Sequence, residues 1–535
     1  MRPFFGAMIF IFFGARALSQ SAPAPGEKLY REGILPSGQS VTARREGDLQ
    51  ITGAAAACSN CHRRSGLGEI EGSIKIPPIS GSYLFRRRTA DKESLEVPYV
   101  EGMRVEREPY TDETSGRAIR EGVGIDGNPL NYLMPRYSLN DTDLKVLLDY
   151  LRGLSPNKVS GVTGSRVDFA TIVTPDADPV QRQAMIDVLN QYFTDQNAFA
   201  IAESPSRRSP QLKSLAKRPW RLHVWELSGA SSTWEEQLRG HLADDPVYAA
   251  ISGLGGKNWQ AVHEFCEKMS LPCIFPNLEL PVVAEHDFYS LYFSKGVLLE
   301  AELLAQRIIA DKNTEAPRVV QIFRADDVGE AAAAALRAAL ARSGIQTIER
   351  PMAKTGDGKR LAALLRRVRR QDVLVLWLRA PDIATLANVA APKSSVLMSG
   401  LMAGLDGAPL PAAWRQATHM AYPVDLPEQR STRVDYALGW LALHHMPVVA
   451  RQVQADTYVT CSLVMETLTH MTGSFGPDYL IERMEGMLEH QLITGYFPRL
   501  ALAQNERFAS KGGYIVHFAN PSGSRVLPDA DWRVP

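Results

Sequence analysis

The sequence predicts two domains of different class: a small helical domain at the front and a larger two-lobed α/β domain with parallel sheets behind it. Three observations carry this. One Cys-x-x-Cys-His run stands near the front, at Cys58-Ser59-Asn60-Cys61-His62. A linker follows at Ser155-Pro156-Asn157-Lys158-Val159-Ser160-Gly161. Behind it, short apolar runs alternate with helical patterns as far as residue 399. Strands alternating with helices at such spacing imply parallel sheets covered on both faces. The 535 residues are 45% hydrophobic and 22% charged, enough for several cores. A formal net charge of zero argues against nucleic acid or an anionic membrane as the main partner.

Taken in order, the chain opens Met1-Arg2-Pro3, runs apolar over residues 4–13, and continues with the small residues of Ala15-Arg16-Ala17-Leu18-Ser19. The apolar run is too short to span a bilayer and reads as a secretory signal peptide over residues 1–19. No later stretch approaches a transmembrane length. The Cys-x-x-Cys-His spacing reads as a c-type haem attachment site, because two thiols add to the two haem vinyl groups and the next imidazole meets the iron. A Cys-x-x-Cys alone would also suit a redox dithiol or half a zinc site. The adjacent His62 and the lack of a second cysteine pair nearby weigh against both. Covalent haem attachment takes place outside the inner membrane, so the leader and the motif agree on a periplasmic protein with one haem c.

No histidine stands between His62 and His223, so a bis-histidine iron within this domain is not expected. Met134 opens Met134-Pro135-Arg136-Tyr137, just before a final helix with Leu144, Leu147, Leu148 and Leu151. Asn140 or Asp141 is the expected N-cap of that helix. Met134 is the candidate second axial ligand, and its alternative is a core methionine filling a gap. Met103, among the charges of Glu101-Gly102-Met103-Arg104, reads as the non-ligand of the two. A thioether ligand raises the potential. Six-coordinate iron leaves no open site for peroxide, so an enzyme is not expected.

Residues 29–154 resemble a class I cytochrome c domain. The resemblance rests on Gly53-Ala54 before the Cys58–His62 run, Pro77-Pro78-Ile79, Gly122, Gly127, Met134-Pro135-Arg136-Tyr137 and the final helix. It implies an all-α domain over residues 20–155. It also implies that the carbonyl of Pro77 or Pro78 accepts a hydrogen bond from the proximal imidazole, with a plain rigid turn as the alternative. The stretch 84–114 is longer and more charged than a minimal domain of this kind needs. It either covers the haem edge, docks a partner, or is a surface excursion.

After a linker over 156–165, strands are expected at 167–173, 222–227, 248–251, 272–275, 319–323, 373–378 and 396–399. Helices are expected at 180–192, 234–242, 259–269, 296–309 and 331–341. The run is too long for one sheet and breaks over 280–293, which predicts two lobes hinged near 280–295. Residues 166–535 resemble the type I periplasmic binding proteins of the branched-chain amino acid and amide group. The carriers are Val247-Tyr248-Ala249-Ala250-Ile251-Ser252-Gly253, His263-Glu264-Phe265-Cys266, Pro272-Cys273-Ile274-Phe275-Pro276, Phe293-Ser294-Lys295-Gly296 and Asp326-Asp327-Val328-Gly329. The variants associated with periplasmic quinoprotein alcohol oxidation are the nearest in pattern.

Ligands of open α/β sheets sit beyond the carboxyl ends of the strands. That places Ser228, Gly255, Asn258, Ser294, Asp326 and Ser399 at the cleft. Gly253-Leu254-Gly255-Gly256 leads into a helix, so its N–H groups are candidates to hold a carboxylate; a tight turn is the alternative. Amino-acid binders of the resembled group place hydroxyl residues here. Gly255, Gly256 and Lys257 stand instead, which argues against an amino-acid ligand.

In an oxidising compartment Cys266 and Cys273 are expected to form a disulfide, with two buried thiols as the alternative. Cys461 reads as a buried free thiol. The basic stretch 204–221 is either a solvated loop or a docking patch.

The combined expectation is a periplasmic c-type cytochrome carrying electrons through one covalent haem. A fused module would bind a small molecule or dock a redox partner, a dehydrogenase (such as a quinoprotein alcohol dehydrogenase) or an oxidase. The alternative is the substrate-binding component of an ABC transport system with an accessory haem domain.

Overall fold

The computed structural model describes residues 24–71, 74–87, 107–154, 159–202, 218–285, 287–311, 318–353, 358–471 and 474–535. The signal-peptide segment, Met103, linker residues 155–158 and the basic residues 204–217 lie outside the described residues. No described helix is long and apolar enough to cross a membrane. The chain divides into two compact units: residues 1–66, 79–86 and 108–154 make the first, and residues 67–78, 87–107 and 155–535 the second.

The first unit is built on the crossing of two helices, Pro25–Glu32 and Asp141–Gly153. Gly26 makes the crossing close. A Cβ there would stand 2.5 Å from the Val146 carbonyl oxygen and 2.7 Å from the Tyr150 Cβ. Beside it the Tyr30 and Tyr150 rings lie 5.3 Å apart. The later helix buries Leu144, Leu147, Leu148 and Leu151, the i, i+3, i+4, i+7 stripe of an amphipathic helix. Asn140 is its N-cap, its side chain accepting from the Asp143 amide at 2.8 Å.

The unit is not all-α, and that expectation is corrected. Gln50–Thr52, Thr42–Arg44 and Arg136–Tyr137 form a three-stranded antiparallel sheet in that order. Val41 and Ala43 are fully buried and alternate with more exposed neighbours, the period of a half-buried strand. Gly47 and Asp48, at φ 76° and 59°, reverse the chain between the first two strands.

The second unit has two lobes. The sheet of lobe one runs Ser290–Leu291, Cys273–Ile274, Ala249–Ile251, Val167–Val173, Trp220–Glu226, all parallel. Every residue of the strand Val167–Val173 is buried, as a strand covered on both faces requires. The sheet of lobe two runs Thr347–Met352, Val319–Arg324, Val373–Trp377, Ser395–Ser399, Thr418–Tyr422, Tyr514–Phe518, Val526–Pro528. Its first five strands are parallel and its last two antiparallel. The expected parallel sheets are present in both lobes, and the second carries two further strands joined by antiparallel pairing.

The reason is the path of the chain. It leaves lobe one after Leu291, and the helix Val297–Ala310 packs on the strands of lobe two. It returns with Arg451–Thr469, which packs on the lobe-one helix Pro179–Ala202. Phe508 then lies beside Tyr292 before the chain enters lobe two again at Tyr514. The hinge expected near 280–295 is therefore the first of three crossings, and the last one delivers the antiparallel strands.

Candidate functional site

Cys58 to His62 fold as one helical turn. Cys58 has helical backbone angles, Ser59–His62 follow, and the His62 amide donates to the Cys58 carbonyl at 2.9 Å. Arg63, at φ 63°, ends the turn. The Ser59 hydroxyl donates to the Arg31 carbonyl at 3.2 Å and the Asn60 amide group to the Ala54 carbonyl at 2.8 Å. Below the turn, the Cys58 thiol reaches the Tyr137 oxygen at 4.0 Å, and the Tyr137 hydroxyl donates to the Ala56 carbonyl at 2.9 Å. His62 is buried, whereas Cys58 and Cys61 are partly exposed free thiols.

Burial pushes the Cys58 thiol up to about 11, against the weaker pull of Tyr137. A redox dithiol needs a lowered thiol pKa, and burial works the other way at Cys58. Met134 is half-buried and packs against the same apolar cluster as Cys58, whose members include Tyr137, Leu139 and Leu144. The unit therefore collects Cys58, Cys61, His62 and Met134. Arg45 adds a residue that sequence reasoning missed. Its Nε is buried without a hydrogen-bond partner, and its charge acts on Tyr137. A half-buried cation with its Nε unpartnered is a group that suits an acidic group of a porphyrin.

In the second unit the expected cleft residues hold one another. The loop amides proposed for an anion are already taken: Lys257 donates to the Asp176 carboxylate at 3.0 Å and Gly256 at 3.3 Å. A Cβ on Gly256 would stand 2.4 Å from the same carboxylate. Burial works against ionisation of Asp176, but the Thr174 hydroxyl and the Lys257 amide outweigh it and hold its carboxyl below the usual range.

The Lys257 ammonium pairs with Asp326, tying the loop of lobe one to the first turn of lobe two. Arg379 in lobe two binds Glu279 at 2.7 Å and Asp327 at 2.8 Å. Ser399 donates to the buried Glu300 and accepts from the Met402 amide at 3.1 Å. Ser228 binds Gln237, Ser294 accepts from the Gly296 amide, and Asn258 accepts from the Gln260 amide. Only Asp326, among the residues expected at the cleft, makes one of these inter-lobe ion pairs. Asp176, Glu279 and Arg379 were missed. Asp176 had a signal, since it follows a strand end in Thr174-Pro175-Asp176.

Cys266, on the helix Gln260–Met269, and Cys273, at the start of its strand, are side by side, but both are free thiols. The disulfide expectation is corrected on that point. The pair lies buried with Trp259, Phe265 and Leu271. Burial holds the Cys266 thiol well above its ordinary value, and the thiolate is the form that attacks. Cys461 is a buried free thiol.

No protein-family model matches the chain, and no curated protein matches it in sequence. Several solved structures are similar to part of the chain. A fatty acid ABC transporter substrate-binding protein from Thermomonospora curvata is 15% identical, with 71% of this chain and 95% of that one covered at a TM-score of 0.47. A leucine-binding protein from Thermotoga maritima MSB8 is 14% identical, covering 69% and 99% at 0.48. A possible leucine/isoleucine/valine-binding protein from Rhodopirellula baltica SH 1 is 12% identical, covering 68% and 96% at 0.49. At these scores no statement about the site rests on the likeness.

Proposed function

We propose that the chain is a periplasmic haem c protein that carries electrons through one covalent haem, with a two-lobed module that binds a small molecule or docks the redox partner. The supporting observation is the single helical turn that sets two thiols and a buried imidazole together, with Met134 on the same apolar cluster. Cys58 and Cys61 would hold the haem covalently, His62 and Met134 would supply ligands to its iron, and Arg45 would meet one of its acidic groups. When bound, the haem supplies one-electron transfer. Met134 would raise its potential, and the apolar cluster that holds Tyr137, Leu139 and Leu144 would limit the access of water. The natural partner is a periplasmic dehydrogenase or oxidase.

For the two-lobed module, Asp176 on the loop amides disfavours an anionic ligand, because an incoming carboxylate must displace it. A neutral ligand such as an alcohol or amide fits better. The second reading is a substrate-binding component of an ABC transport system, with the haem as an accessory. The two-lobed fold favours it, and the similar structure from Thermomonospora curvata carries that description.

Met134→Ala tests the first reading. The variant should keep its haem, lose the weak sulfur-to-iron band of the ferric spectrum and show a lower potential. An unchanged spectrum would remove Met134 as ligand. Calorimetric titration of ferric and ferrous protein with alcohols and amides separates the readings. A tenfold difference in affinity, about 1.4 kcal/mol or roughly 60 mV for one electron, joins module and haem. Equal affinities favour the transport reading.

A further inference from the structure

Outside the sites described so far, two histidines and an aspartate meet on one face of the lobe-two sheet. His419 and His517 are directly opposed across the antiparallel strands Thr418–Tyr422 and Tyr514–Phe518. Their rings stand 5.8 Å apart. Asp529 follows the next strand and is fixed by its own amide, which donates to the Ile515 carbonyl at 2.8 Å. One carboxylate oxygen lies 2.8 Å from the Nδ1 of His419 and the other 2.7 Å from the Nδ1 of His517. We infer that His419, His517 and Asp529 form a binding site for a divalent transition-metal ion that opens on a neighbouring cavity.

The geometry needs little change to accept an ion. The three ligand atoms already lie within 4.8 Å of one another. Around a tetrahedral ion with bonds of about 2.1 Å, ligand atoms are roughly 3.4 Å apart. The two imidazole–carboxylate spacings of 2.8 and 2.7 Å must open by roughly 0.6–0.7 Å, with release of their hydrogen bonds, to make that spacing. All three residues sit on or beside adjacent strands of one sheet, so the backbone is held by ladder hydrogen bonds. Two imidazoles and one carboxylate suit Zn²⁺, Ni²⁺, Co²⁺, Cu²⁺ or Fe²⁺, whereas Mg²⁺ and Ca²⁺ prefer oxygen ligands alone.

A carboxylate bridging two surface imidazoles is by itself an ordinary polar cluster. The cavity is the independent observation. It has a volume of about 500 Å³ and is lined by all three residues together with Leu303, Arg307 and Arg533. The side chains of His419, His517 and Asp529 are 31%, 40% and 20% exposed, so an ion can enter. Three protein ligands leave a coordination position free, the pattern of an open site. Arg307, whose Nε is 3.8 Å from the Asp529 carboxylate, and Arg533 stand in the cavity wall together with Asp531.

Full-length, chelator-stripped protein titrated with Zn²⁺ in a calorimeter tests this. One Zn²⁺ per chain should bind and raise the unfolding temperature. His517→Ala and Asp529→Asn should each weaken binding by more than about 100-fold, the upper end of what a lost outer-shell partner costs. His490→Ala, at an exposed histidine elsewhere, should change nothing. The Cys58→Ser/Cys61→Ser variant should keep the same zinc count, which makes the result independent of the haem reading. Asp529→Asn keeps shape and can be checked for folding by circular dichroism. Absence of saturable binding, or a zinc count that falls with the cysteine variant and not with His517→Ala, overturns the proposal.

Discussion

In the first unit the candidate site is one helical turn, Cys58 to His62, with Met134 brought to the same cluster. In the second it is drawn from loops as far apart in the chain as Asp176 and Ser399, and nearly every polar group there is bound to another group of the protein. The difference teaches where each kind of function is written. Covalent attachment needs fixed spacing over five residues and leaves the rest of the fold free to vary. A non-covalent cleft depends on which side chains remain unsatisfied after folding, and that is a property of the whole unit.

The largest expected effect sharpens this contrast through buried carboxyls of the second unit. Burial pushes Glu300 up to about 8 from an ordinary 4.5, against the hydrogen bonds of Ser399 and Leu401. The folded protein keeps that proton to about pH 8 while the unfolded chain releases it near 4.5. Between those values the unfolded state binds fewer protons, so stability is full below the window and falls as pH rises through it. At 1.36 kcal/mol per pH unit the fall has an upper bound of about 5 kcal/mol. Asp456, pushed by burial to about 7, adds to the same slope. Denaturant unfolding from pH 5 to 8 should show the fall, and Glu300→Gln should flatten it. A pH-independent midpoint would remove the argument.

Next in size is Gly26→Val in the first unit. The added side chain meets the Val146 carbonyl at the helix crossing. A loss of roughly 1–3 kcal/mol is expected, read as a lower melting transition of the first unit with the other transition unmoved. Equal shifts in both transitions would break the comparison, because the units would then unfold as one.

The smallest effect belongs to the cleft. Lys257→Ala removes a half-exposed ion pair and should cost less than about 1 kcal/mol of stability. It should nevertheless raise affinity for any ligand that needs the lobes parted, seen by calorimetry. Unchanged affinity would mean that the Lys257–Asp326 pair does not gate the cleft.

The sequence reads well where burial is continuous or spacing is chemical. Val167–Val173 is a strand with the bounds its apolar run predicts, and the helix Val297–Ala310 is displaced by one residue at each end. Thr347–Met352 went unread because an edge strand tolerates Glu349, Arg350 and Pro351, which hide its pattern. The three-stranded sheet of the first unit was hidden by strands of two or three residues, too short for any period to show. Everything after Ser399, including the helix Arg451–Thr469 that carries the chain back to lobe one, lay beyond the pattern read. In the cleft, the positions of Gly255 and Asp326 beyond the strands were legible, but Asp176 on the loop amides was not, since only folding brings that carboxylate to them.

The central claim is that Cys58 and Cys61 hold one haem in the first unit. Pyridine haemochrome assay with intact-mass measurement, on protein produced with export and haem attachment, tests it most directly. The account predicts one haem per chain that stays with the protein in acidified organic solvent and is lost in Cys58→Ser/Cys61→Ser. A chain of apoprotein mass, or haem that extracts into the solvent, would contradict it.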